Sequence, residues 1–182
     1  MSFTPEQLEA LFRAAYETDV TDPYHRSPYP AVATSNPKLS QAGRTVLVTG
    51  GGTNIGFGIS KAFVQAKAAT VIIVARRLEV LEEAATKLRK EAQAVGTDTK
   101  IIIRQLDLGD LSAVEKLWKD FAAENITVDV FVNNAVRFSD PKPLLALGFE
   151  ELQAQFDVNV RAAIFITEKF VNQSGEKQRV SA

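Results

Sequence analysis

The sequence predicts an α/β protein: a doubly wound parallel sheet in three layers, with helices on both faces, incomplete at the C-terminal side. Three observations carry this. The stretch TVLVTGGGTNIGFG, Thr45 to Gly58, is a β-branched strand running into a glycine cluster that opens a helix. A second strand, Val71 to Ala75, follows one helix later, and strand-like and helix-like stretches keep alternating after it. Such alternation makes the strands parallel through right-handed crossovers and places ligand-binding residues at their carboxyl ends.

Composition narrows the field. At 182 residues and 46% hydrophobic content, the chain suits one compact core. It divides into an N-terminal extension, residues 1–43, made of a short helix and a proline-rich lead, and a nucleotide-binding domain, residues 44–182. The formal net charge is −1 with both signs interleaved, which gives no electrostatic footprint for nucleic acid or an anionic membrane. Cysteine is absent, which excludes a disulfide framework, a thiolate metal site and a cysteine nucleophile, and no metal site is expected. The start, MSFTPEQLEALF, has no basic and apolar leader pattern, and no run reaches membrane-spanning length. The reading is a soluble, cytoplasmic protein, in which the glycosylation patterns at Asn125 and Asn172 are chance matches.

The elements follow in order. Thr4 to Thr18 predicts an amphipathic helix, with Thr4 as N-cap, Pro5 at the first position, Gln7 completing a capping box, and Leu8, Leu11, Phe12 and Ala15 on one face. Asp22 to Gly43 carries four prolines and reads as extended chain. The only histidine, His25, lies there with no acid or serine at a motif spacing, so a surface or packing role is expected. All three tyrosines, Tyr16, Tyr24 and Tyr29, precede the glycine loop. In that loop Gly50 and Gly51 allow a sharp turn. Gly56 is expected to let the backbone approach a ligand, so that N–H groups at the helix start face phosphate oxygens. Ile55, Ile59, Ala62, Phe63 and Ala66 then recur at helical spacing.

Leu78 to Val95 predicts a helix with Gly96 as its C-cap, and Lys100 to Asp107 a third strand. Leu111, Val114, Leu117, Trp118 and Phe121 trace the next helix, with Ser112 and Glu115 as a capping box and Trp118 in the core. Val128 to Ala135 is the fourth strand and its exit. Beyond Pro141 and Pro143, a long helix runs from Phe149 to Val171.

Gly50 to Gly56, Arg76, Asp107 and Asn133 to Ala135 therefore share one rim, the carboxyl edge of the sheet. A dinucleotide fold reads its ribose about twenty residues past the glycine loop, where Ala75 and Arg76 stand. With no acid at Ala75, the Arg76 guanidinium is free to pair with a 2′-phosphate, which predicts NADP in preference to NAD. Arg77 serves equally as a helix start. Asp107 either accepts from the adenine amino group or closes a turn in DLGD.

Together these residues resemble the short-chain dehydrogenase/reductase family, over about Thr45 to Phe170. The family's TGxxxGxG loop is matched by Thr49 through Gly56, its aspartate after the third strand by Asp107, its NNAG by Asn133, Asn134, Ala135 and Val136, and its helical asparagine by Asn159. The resemblance implies a Rossmann-type fold and cofactor contacts from Gly50, Thr53, Asn54, Ile55, Gly56, Arg76, Asp107, Leu108, Asn133 and Ala135. Asn54 stands where the loop has a glycine, and Val136 where NNAG ends in one. Family members move hydride between NAD(P) and a carbonyl or alcohol, using a serine and a Tyr-x-x-x-Lys pair. Neither is identifiable here, since no tyrosine has a lysine four residues on. Asn159 is the one catalytic position matched, implying a water relay and helix geometry.

The implied function is an NADP-dependent oxidoreductase for a small-molecule carbonyl or alcohol, and the proline-rich lead resembles extensions of fungal family members, which implies a setting of specialised metabolism. The alternative is a redox-inactive relative that binds a nucleotide or a partner, or performs non-redox chemistry. A fourth strand left as the sheet edge, with bare helix faces beside it, predicts association with a second copy or a full-length relative.

Overall fold

Val46, Leu47 and Val48 are fully buried, as a strand covered on both faces requires. They begin the core of a computed structural model that describes Thr4, Glu6, Gln7, Glu9, Ala10, residues 27–173 and the backbone of Arg179–Ser181. The chain forms two compact units, Met1–Ala33 and Thr34–Ala182.

In the first unit Glu6, Gln7, Glu9 and Ala10 are helical, and the predicted capping box is present in both directions. The Thr4 N–H donates to Gln7 Oε1 at 2.9 Å, and the Gln7 N–H donates to Thr4 Oγ1 at 3.2 Å. The remainder of that helix, and Tyr16, Tyr24 and His25, lie outside the described residues. Tyr29 is 42% exposed, and its carbonyl accepts from the Val32 N–H in a tight turn.

In the second unit the strands are β1 (Thr45–Thr49), β2 (Thr70–Ala75), β3 (Lys100–Gln105), β4 (Val130–Val132) and β5 (Arg179–Ser181). They are ordered β3-β2-β1-β4-β5, and every pairing is parallel. The helices are α1 (Asn54–Gln65), α2 (Leu78–Ala94), α3 (Leu111–Ala123), α4 (Leu144–Leu147), α5 (Phe149–Phe156) and α6 (Ala163–Val171), with a π-helical segment, Asp157–Ala162, joining the last two. Before β1, Pro37–Leu39 forms one 3-10 turn capped by Asn36.

Alternation along the strands sorts the core into two layers. Val46, Val48, Val71 and Ile73 pack with Val64, Leu81 and Leu88 of α1 and α2. Leu47, Ile72 and Phe131 pack with Val114, Leu117, Phe121, Ile166 and Phe170 of α3 and α6. Trp118 belongs to that second layer, edge-on to Phe121 at 5.6 Å, as expected. Gly96 takes the positive φ of +65° that a helix-terminating glycine adopts after α2.

Three details differ from the sequence reading. The N-cap of α3 is Asp110, which accepts from the Ser112 and Ala113 N–H groups. Ser112 therefore lies inside the first turn, its hydroxyl bonded to the same carboxylate at 2.6 Å. The long helix from Phe149 is interrupted by the π segment. The outer edge of β4 is paired, Phe131 opposite Val180, so β4 is not the sheet edge and association argued from its open backbone loses that support. Exposed apolar side chains do remain on the helices beyond it, Phe156 at 54% and Ile164 at 66%. No helix of the described residues is long and apolar enough to cross a membrane.

Candidate functional site

At the exit of β1 the chain turns through Gly50 at φ +67°, and the Gly50 N–H bonds the Val74 carbonyl at 2.8 Å. Thr49 then ties the ends of β1 and β4 together. Its hydroxyl accepts from the Asn134 and Ala135 N–H groups at 3.0 and 3.1 Å and donates to the Val132 carbonyl at 3.3 Å. Asn134 returns the bond, its Nδ2 donating to the Thr49 carbonyl at 2.9 Å.

Gly56 is needed for a reason the sequence did not disclose. A Cβ there would lie 2.1 Å from the Gly50 carbonyl oxygen and 2.6 Å from Asn134 Nδ2. This close approach is internal to the protein, between the loop's two ends and the β4 exit. Asn54, at the position of the missing glycine, takes φ +46°, a conformation asparagine reaches more readily than most residues.

These turns open a cleft of about 390 Å³. The loop contributes Gly50, Thr53, Asn54, Ile55 and Gly56 to its wall, and the strand ends contribute Arg76, Asp107, Leu108 and Ala135. Asn133 does not line it; its Oδ1 stands 3.5 Å from the Thr49 hydroxyl. Asn134 takes that place, and Val136, in the position of the family's glycine, lines the wall with its side chain 49% exposed.

The electrostatics of the cleft favour an anion. The N-cap of α1, Thr53, makes no side-chain cap and the first turn has no acid. Among the described residues no oxygen accepts from the Asn54, Ile55 or Gly56 N–H groups. Unsatisfied N–H groups at the positive end of a twelve-residue helix form an anion site. Arg76 and Arg77 line the same cleft, and neither guanidinium has an ion-pair partner among the described residues. The Arg76 backbone is fixed by Gln105, whose amide donates to its carbonyl at 2.9 Å. Arg77 is the N-cap of α2, so its helix-start role and its place in the wall coincide. Asp107 closes the turn, one carboxylate oxygen accepting from the Gly109 N–H at 3.0 Å, and the residue also lines the cleft.

Asn159 lies in the π segment and is not part of the wall. Its amide grips the backbone of Arg137 from both sides, accepting from the N–H at 2.8 Å and donating to the carbonyl at 2.9 Å. Its side chain positions the β4 exit.

The sequence reading missed what surrounds that grip. Arg137 pairs bidentately with Glu151, Nε to Oε1 at 3.2 Å and Nη2 to Oε2 at 2.6 Å. The Ser139 hydroxyl donates to the same carboxylate at 2.8 Å, and Gln155 Nε2 bonds Ser139 Oγ in turn. The Arg137 guanidinium, with Ser139 behind it, holds the Glu151 carboxyl down at about 2. The carboxylate in return raises Arg137. Fourteen residues separate the two partners. An acid in the first turn of a helix already has a sufficient local reason in the helix dipole, so no motif could have flagged it.

The sequence profile described as short chain dehydrogenase matches residues 44–180. Mouse retinol dehydrogenase 11 is 35% identical over 119 residues, 65% of this chain and 35% of that protein. The short chain dehydrogenase/reductase AacuD of Aspergillus aculeatus is 30% identical over 151 residues, 83% of this chain and 50% of that one. Among solved structures, the citronellol catabolism dehydrogenase of Pseudomonas aeruginosa superposes with a TM-score of 0.63 at 27% identity, covering 73% of this chain and 51% of the other. The chain thus spans between about a third and a half of the length of these curated relatives.

Proposed function

The chain belongs to the short-chain dehydrogenase family, and on that premise we propose that its cleft binds a nicotinamide dinucleotide, with NADP(H) preferred over NAD(H). The family implies a nicotinamide cofactor of one kind or the other. The single observation that supports the phosphorylated form is the pair Arg76 and Arg77, both in the cleft wall without an ion-pair partner among the described residues and with no acid at Ala75. A guanidinium there offers a 2′-phosphate two parallel charge-assisted hydrogen bonds.

The residues fit the group. The uncapped start of α1 would take the pyrophosphate, Arg76 the 2′-phosphate, and Asp107 with Leu108 the adenine. When bound, the nicotinamide supplies or accepts hydride. Asn159, committed to the Arg137 backbone, keeps the β4 exit in place rather than exchanging a proton itself. The Tyr-x-x-x-Lys pair does not occur in these 182 residues, so the activity proposed for them is cofactor binding. Reduction or oxidation of a small-molecule carbonyl or alcohol, in specialised metabolism, is proposed for the whole protein. We place the chain in the cytoplasm, associated with a second copy or a longer relative.

Arg76→Asp tests the cofactor preference. It should weaken NADPH binding by about a hundredfold, the order of one lost charge-assisted pair with its charge reversed, and leave NADH binding nearly unchanged. Equal losses for both nucleotides would remove the 2′-phosphate role.

A further inference from the structure

We infer that Phe138 is a ring-stacking residue of the cleft, held in its wall to lie against a planar heterocycle of the bound dinucleotide. The inference rests on the dinucleotide reading above and adds a binding residue to it. Residues 137–139 belong to neither helix nor strand, yet the segment is tightly held. Arg137 and Ser139 both bond the Glu151 carboxylate, and Asn159 holds the Arg137 backbone. Between these two anchored neighbours, Phe138 makes no such bond and lines the cleft.

The residue is 82% exposed. All of the polar bonding in this segment serves the residues on either side of it, and none of it touches the ring. The result is an unpacked aromatic side chain, carried by a tethered segment, in a cleft whose other walls fit a dinucleotide. A ring so placed gains most from a flat partner, because base-on-aromatic stacking adds attraction that an aliphatic side chain of equal area lacks. Glu151 is the positioning residue of this arrangement, acting through Arg137 and Ser139.

Calorimetric titration of the purified chain and its variants tests this, with NADPH, ADP-ribose and reduced nicotinamide mononucleotide as probes. Phe138→Leu keeps an apolar side chain and removes the ring. It should weaken NADPH binding about tenfold, while Phe138→Trp stays within about twofold of the parent. Whichever half-molecule shares the loss identifies the stacked ring. Glu151→Ala should produce a similar loss, and combining it with Phe138→Leu should add little, because both act on one contact. Binding by Phe138→Leu within about twofold of the parent for all three probes would overturn the inference and leave the dinucleotide reading intact. A parent chain that binds none of the probes would overturn both.

Discussion

A single hydrogen decides whether the loop can close. At Gly56 the side chain is replaced by nothing because the Gly50 carbonyl oxygen and Asn134 Nδ2 occupy the space. Gly56→Ala should therefore cost about 3 kcal/mol or more, in the range of severe steric substitutions, and lower the melting temperature by roughly 10 °C. Gly58, two residues on in the same helix, has nothing within 4 Å of its ideal Cβ. Gly58→Ala should leave the melt unchanged or raise it slightly, through the better helix propensity of alanine. Melts that fall equally for the two variants would contradict this account of the loop. The requirement for glycine at 56 was legible in the sequence, but half of the internal clash was not: Asn134 is brought back to the loop only after three further strands.

At the scale of elements, the polar tie between the β4 exit and α5 carries its own pH signature. The Glu151 carboxyl sits at about 2 against an ordinary value of 4.5, so the native state holds this proton less readily than the unfolded chain. Its contribution to stability is complete above about pH 5 and is lost as the pH falls towards 2. Glu151→Gln should accordingly melt below the parent at neutral pH, with the gap closing as pH falls through that window. A gap that stays constant down to pH 2 would show that the carboxylate is not the source. Apart from the single turn of α4, too short to show a period, the helices after β1 were legible from their 3.6-residue pattern, including the whole span from Phe149 to Val171. The π segment within it was not, because a π turn shifts the register by one residue and leaves apolar periodicity almost intact over so short a length. The cap of α3 was read two residues late for a similar reason: in DLGDLS both Asp110 and Ser112 are good caps, and local sequence does not rank them.

For the whole molecule, the alternation of strands and helices is enough to expect the all-parallel sheet, and the rim of predicted residues does come together at one cleft. Gly50, Thr53, Asn54, Ile55, Gly56, Arg76, Asp107, Leu108 and Ala135 all line it. Asn133, placed there by topology and by motif, does not, because its side chain turns to the Thr49 hydroxyl, and Asn159, placed by motif alone, does not either. The wall contributed by Arg137 and Phe138 was illegible because it depends on a carboxylate fourteen residues away. What the architecture offers is a cleft with an uncapped helix end and two guanidinium groups that have no ion-pair partner among the described residues, and the most direct test is to offer it the proposed ligand. Calorimetric titration of the purified 182-residue chain with NADPH and separately with NADH should give saturable binding of NADPH, with NADH at least about tenfold weaker. No binding of either nucleotide, or tighter binding of NADH, would contradict the central claim.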